Sequence, residues 1–197
     1  MTLALDPAAQ DLLFREAQTA NTFTDEPVTD EQVQAVYDLV KFAPTAFNQS
    51  PLRLTLVRST EARERLVAHA MGANGPKTLA APLTVILSAD VDFHEKLPHL
   101  FPAAPGIKDT YFAERSVREV AGIQNATLQA GYFILGIRAA GLAAGPMTGF
   151  DFDALDKEFF GDGKQKSFLV INVGKPGEGA FFPRAPRLEF QDAATTV

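Results

Sequence analysis

The chain has no cysteine among its 197 residues, which excludes disulfides, thiolate catalysis and cysteine-ligated zinc together. Histidine is scarce as well. The three present, His69, His94 and His99, never fall in a His-x-x-x-His spacing, so no metal site is expected. Positive charge is in deficit, with a formal net charge of −6, and this leaves no electrostatic footprint for a polyanion such as nucleic acid. No apolar run approaches the roughly 18 residues of a membrane span, and nothing near Met1 resembles a basic segment leading into an apolar one. A cytoplasmic protein with no membrane partner is the expectation. Also missing are a Gly-x-Ser-x-Gly elbow, a Walker loop and a Gly-x-Gly-x-x-Gly turn after a strand. A chain with so few catalytic constellations of its own is expected to borrow its chemistry from a cofactor.

What is present suffices for one domain over residues 1–197, since 46% of the residues are apolar. Asp6-Pro7 sets an N-cap before a proline at the first helical position, which predicts a helix over residues 7–17. Thr29 to Gln32 has the form of a capping box, and Val33, Val36, Tyr37 and Val40 make one apolar stripe of a second helix that must stop near Pro44. A short β-rich run through Leu54 and Leu56 to Arg58 precedes a helix opened at Ser59. Leu83-Thr84-Val85-Ile86-Leu87 is apolar on both faces, as a central strand covered by helices must be. The longest helical pattern covers residues 112–140, with Val117, Val120, Gln124, Leu128, Tyr132, Leu135 and Ala139 as its expected buried stripe, and Gly141 closes it. Asp151 or Asp153 caps another helix, and Ser167 to Val173 is the last core strand. Beyond it lies a non-periodic arm, residues 175–197, punctuated by Pro176, Pro183 and Pro186 yet carrying Phe181, Phe182, Leu188 and Phe190. Such side chains are expected to be buried on a second subunit or, alternatively, on the arm's own subunit.

Three separated segments could hold a cofactor. Loop 44–51, bounded by Pro44 and Pro51, offers Thr45, Ala46, Phe47 and Asn48. Its amide suits a ring amide and its hydroxyl suits a ribityl or phosphate oxygen, although on its own residues the loop is more simply a helix stop. Turn 144–151 contributes Pro146, Met147, Thr148 and Gly149, whose backbone amides suit an atom that gains negative charge on reduction; alone it is a tight connection. Lys175, Arg184 and Arg187 concentrate cations suited to a phosphate in the arm of an acidic chain; taken singly, each is equally well a solvated surface cation.

In this order the segments resemble the nitroreductase-like family of FMN flavoproteins, with its Pro-Ser/Thr-x-x-Asn-x-x-Pro loop, its Pro-x-x-Gly-Phe-Asp turn and its basic C-terminal arm. The resemblance spans nearly the whole chain. It is similar in particular to the malonic semialdehyde reductase subgroup of pyrimidine degradation, through Phe42-Ala43-Pro44-Thr45, Lys96-Leu97-Pro98-His99-Leu100-Phe101-Pro102, Gly145 to Asp151 and Pro186-Arg187-Leu188. The resemblance implies an α+β fold, a three-layer α/β/α sandwich in an intertwined homodimer whose two flavin sites lie at the interface. It implies that Pro44, Thr45, Ala46 and Asn48 line the flavin, that Pro146, Met147, Thr148 and Gly149 approach its N5 and O4, and that Arg184 or Arg187 holds the phosphate. Phe47 and Phe101 are candidate walls of the substrate pocket, although packing in the core is the simpler assignment for both. His94 and His99 lie in a segment that could cover it, although surface or capping histidines are the simpler assignment.

The implied reaction is ping-pong: NADH or NADPH reduces FMN, and a small aldehyde acid such as malonic semialdehyde is then reduced to 3-hydroxypropionate, with no side chain assigned as proton donor. A broad nitro- or quinone reductase is the alternative, and a non-catalytic flavin-binding dimer is the alternative of another class. One departure bears on affinity. The family's Arg-Arg-Ser-x-Arg run is here Ala17-Gln18-Thr19-Ala20-Asn21, and the subgroup's arginine is Gln18, leaving Gln18, Thr19 and Asn21 to face the cofactor. Charge-assisted hydrogen bonds are about twice as strong as neutral ones, so weaker FMN retention is expected.

Overall fold

The run that is apolar on both faces lies in the middle of a four-stranded antiparallel sheet. The computed structural model describes residues 3–197, so Met1 and Thr2, at the start of the expected domain, lie outside the described residues. In chain order the main elements are α1 (Pro7–Gln10), α2 (Asp30–Val40), β1 (Leu52–Val57), α3 (Thr60–Val67), α4 (Asn74–Ala80) and β2 (Leu83–Asp90). They continue with α5 (Leu97–Leu100), α6 (Arg115–Ala139), β3 (Ala143–Met147), α7 (Phe152–Phe159), β4 (Gln165–Gly174) and α8 (Phe190–Ala193). The strand order is β1-β2-β4-β3. Leu54 stands opposite Leu87, and Leu87 opposite Leu169.

Strand alternation divides the core into two layers. Leu83, Val85, Leu87, Ile171 and Val173 face α2 and α6, where they meet Val36, Ala130, Phe133 and Ile137. Ile86, Val57 and Val170 face the other way, against Leu66 of α3 and against Phe150, Leu155 and Phe160 around α7. The result is helices on both faces of an antiparallel sheet, the α+β sandwich that the family resemblance implies.

Several local signals work as expected. Asp6 accepts from the Ala9 N–H, and Thr29 and Gln32 cap each other reciprocally. Asp151, rather than Asp153, is the N-cap of α7. Gly141, at φ +73°, is the left-handed residue of a Schellman closure in which Leu142 N–H reaches Ile137 O and Gly141 N–H reaches Arg138 O.

Other elements differ from expectation. The first helix is α-helical only to Gln10 and continues as a π-helical turn, Asp11–Arg15. Side-chain periodicity cannot separate these two hydrogen-bond patterns over so few residues. α4 has no counterpart in the sequence reading; Asn74-Gly75-Pro76 fill its first turn, where N–H groups need no helical partner. Residues 143–147 form an edge strand rather than a turn. Pro146 is tolerated there because its missing N–H falls on an edge strand of the sheet.

The largest correction concerns α6. Its expected buried stripe faces outward, with Val120 71% and Leu128 55% exposed and Tyr132 also exposed. The face on the sheet and α2 carries Gly122, Asn125, Ala126, Gln129, Ala130, Phe133, Gly136 and Ile137. Close approach explains the small residues, since a Cβ on Gly136 would come within 2.5 Å of Val40 Cγ1. The buried amides have backbone partners: Asn125 Oδ1 accepts from Ala46 N–H and Gln129 Oε1 from Leu52 N–H. An apolar-versus-polar pattern therefore selects the wrong face.

Candidate functional site

Segment 17–24 is pinned between β3 and the start of the arm. Ala20 N–H donates to Ala144 O at 2.9 Å, Asn21 N–H to Ala180 O at 2.9 Å and Thr24 N–H to Lys175 O at 3.0 Å. Gly145 permits this approach, because a Cβ there would lie 2.5 Å from the Ala20 carbonyl oxygen. Backbone cannot yield as a flexible side chain can. Gly145→Ala is therefore expected to lower the thermal unfolding midpoint by the equivalent of about 1–3 kcal/mol and to loosen residues 18–21 from β3; a midpoint equal to wild type in a melting curve would contradict this.

That pinning gathers one set of predicted residues. Gln18, Thr19, Asn21, Arg184 and Arg187 line a cavity of about 210 Å³ together with Phe182. A second cavity of about 210 Å³ shares Gln18, Thr19 and Arg187 and adds Pro146, Ile134 and Arg138. Arg184 Nη2 donates to Ala17 O at 3.1 Å, and Arg187 Nη1 rests on Ala185 O and Pro186 O. Both arm arginines therefore border the site. Lys175 does not join them: it pairs with Glu26 at 2.9 Å.

Turn 148–151 is tied to α4, with Asn74 Nδ2 donating to Gly149 O at 3.0 Å and Met71 N–H to the same oxygen at 2.9 Å. Lys77 Nζ of the same helix donates to Asn21 Oδ1 at 2.6 Å. Among the described residues the N–H groups of Thr148 and Gly149 have no hydrogen-bond partner. Met147 is half-buried on β3 and Thr148 is exposed.

Loop 44–51 lies elsewhere. Ala46 N–H donates to Asn125 Oδ1 at 2.8 Å, in the N-terminal half of α6. Thr45 Oγ1 accepts from Ser50 N–H, and Asn48 Nδ2 donates to Leu100 O at 2.9 Å. One amide proton and the carbonyl oxygen of Asn48 stay available, fewer than its full capacity. Phe47, Asn48 and Ser50 have φ of +52°, +50° and +41°, left-handed values interrupted at Gln49 and unusual outside glycine and asparagine. This backbone throws the Phe47 ring outward, 5.6 Å from Phe101, 5.9 Å from Tyr111 and 5.8 Å from Phe112. The two candidate walls thus meet within an aromatic cluster. Gln49 is buried beneath the loop with neither amide atom hydrogen-bonded.

A helix rises 1.5 Å per residue, so Asn125 and Arg138 are about 20 Å apart along α6. One chain therefore carries two separate groups of the expected site residues, one beside the middle of α6 and one at its C-terminal end. The cationic end suits a flavin phosphate by its donors: arginines, a hydroxyl and amides in a chain of net charge −6. It also suits close approach of a flat ring, since the exposed turn at Thr148 and Gly149 presents unpaired N–H groups.

Sequence reasoning missed Asn74, Lys77 and Arg138. The first two lie in the unpredicted α4, and Arg138 reads as an ordinary cation in the last turn of a long helix.

A family model described as the nitroreductase family matches residues 15–175. A Streptomyces coelicolor protein named NADH dehydrogenase/NAD(P)H nitroreductase is 68% identical over 197 residues, all of both chains. A similarly named protein of a Caulobacter strain is 48% identical over 193 residues, 98% of each chain. Among solved structures, a nitroreductase of Exiguobacterium sibiricum in complex with FMN superposes with a TM-score of 0.84 at 18% identity, covering 100% of this chain and 99% of that one.

Proposed function

The chain belongs to the nitroreductase family, and from that premise we propose that it is an FMN-dependent NAD(P)H oxidoreductase working as a homodimer, each flavin site built from two chains. The observation that carries this is the separation of the half-sites along α6. A two-fold axis crossing α6 halfway between Asn125 and Arg138, with two copies of α6 antiparallel, brings loop 44–51 of one chain to the cationic end of the other. The outer stripe of α6 supplies an apolar surface for that contact. So does the arm, whose Phe181, Phe182, Leu188 and Phe190 are exposed on the single chain, the last at 81%.

When bound, FMN supplies a two-electron, hydride-transferring centre. The chain supplies the surroundings. Thr148 and Gly149 offer N–H donors where negative charge develops on reduction. Gln18, Thr19, Arg184 and Arg187 would hold its phosphate, and Pro44, Thr45, Ala46 and Asn48 of the partner chain, with Pro146 and Met147, would line its ring. NADH or NADPH and the electron acceptor use the same open face in turn.

The aromatic wall of Phe47, Phe101 and Tyr111 favours a flat, unsaturated acceptor such as a nitroaromatic or a quinone. A small aldehyde acid such as malonic semialdehyde is the second reading. It is favoured by the Asn48–Leu100 hydrogen bond, which docks segment 96–102, with exposed Lys96 and His99 to pair a carboxylate, on the loop.

Purified protein loaded with FMN is expected to bleach at the flavin band on anaerobic addition of NAD(P)H. It should then reoxidise on addition of a nitroaromatic faster than on addition of malonic semialdehyde. No flavin uptake, or uptake without bleaching, contradicts the enzymatic assignment, and faster reoxidation by malonic semialdehyde favours the second acceptor.

A further inference from the structure

We propose that Arg138 is a phosphate-binding cation of this site, taking the place of the arginine that position 18 lacks. The inference rests on the flavin assignment above and names a ligand class, a dianionic phosphate monoester, for one end of the cavity. Arg138 is 9% exposed. Its Nε donates to Leu12 O at 2.7 Å, and among the described residues neither terminal nitrogen has a protein partner and no carboxylate pairs with it. A buried guanidinium without a counter-ion is unusual, because desolvation of the charge must be offset by a partner.

The surroundings supply more positive charge. Burial lowers the Arg138 pKa, with Glu16 opposing and the Arg184 charge adding to the effect, yet an arginine stays protonated. The cavity it borders is lined also by Gln18, Thr19 and Arg187 and by no aspartate or glutamate. Two guanidinium groups, a hydroxyl and an amide around one small space suit a tetrahedral anion. The Leu12 contact fixes the plane of the fork, so little freedom is lost when its free edge takes two oxygens. Gln18 lines the same cavity, which is why a cation on α6 makes good the one missing from segment 17–21.

Arg138 also lies in the last turn of α6, where a cation favours the helix dipole and fastens residues 7–15. Flavins with and without phosphate separate the two roles. FMN and riboflavin are titrated by fluorescence quenching against wild type, Arg138→Gln and Gln18→Arg/Arg138→Gln. Arg138→Gln is expected to weaken FMN by roughly tenfold to a hundredfold, the range for one charge-assisted contact, and riboflavin by less than about twofold. Gln18→Arg in that background restores FMN. Should Arg138→Gln fail to fold, Arg138→Lys keeps the charge at the helix end and still lowers the preference for FMN over riboflavin. Equal weakening of both flavins, or unchanged FMN affinity, overturns the assignment of Arg138 alone. Wild type that takes up neither flavin overturns the flavin assignment itself, and this inference with it.

Discussion

Leu128→Glu is expected to yield a folded monomer that no longer retains FMN. Leu128 lies about one turn from the point of α6 halfway between Asn125 and Arg138, on the outer stripe, and takes no part in the core between α6 and the sheet. Near a two-fold axis each substitution counts twice, because the same patch meets itself. Two leucines removed from an apolar contact forfeit about 1.5–3 kcal/mol each, and two carboxylates forced together there add desolvation and repulsion. Loop and arm then belong to separate particles. Sedimentation should report one chain per particle, far-ultraviolet dichroism should stay that of wild type, and FMN affinity should fall by about a hundredfold or more, equivalent to 2.8 kcal/mol or more. A flavin-loaded dimer of Leu128→Glu would contradict the two-chain site.

Phe133→Ala, one and a half turns further along α6, should behave in the opposite way. Phe133 is fully buried between α6 and β2. Truncation removes a large apolar group and leaves a cavity that close-packed neighbours fill only in part, at a cost of about 3–5 kcal/mol. That is a large share of the roughly 5–15 kcal/mol by which a domain is stable. Denaturant unfolding should show a lower midpoint, while the protein that remains folded stays dimeric and binds FMN within a few-fold of wild type. A variant that kept its midpoint but lost the dimer would mean that the inner and outer faces of α6 are wrongly assigned.

These two residues also mark the limit of what the sequence reveals. Signals confined to a few neighbouring residues were legible: the Asp6 and Asp151 N-caps, the Thr29–Gln32 capping box, the closure at Gly141 and the double-sided β2. α6 has apolar residues on both faces, and nothing local tells which face meets its own sheet. The buried face is the one with small residues and with Asn125 and Gln129, which look polar until their partners, the N–H groups of Ala46 and Leu52, are in place. The candidate site divides likewise. Loop 44–51, turn 144–151 and the arm were visible as segments of suitable chemistry. Asn74, Lys77 and Arg138 were not, because each matters only through a contact with a residue distant in sequence: Gly149, Asn21 and Leu12.

The two-chain site is tested most directly by hybrid dimers. Ala46→Glu places a carboxylate on the exposed face of loop 44–51, and Arg184→Glu/Arg187→Glu reverses the arm's charge at the other half-site. Each variant alone should form dimers that do not take up FMN. In an equal mixture allowed to exchange subunits, half the dimers are hybrids in which one site draws both of its halves from unaltered segments. FMN uptake should then return to roughly a quarter of the wild-type number of sites, as two-fold symmetry requires. Hybrids that form but take up no FMN, or either variant binding FMN fully on its own, would contradict a flavin site shared between two chains.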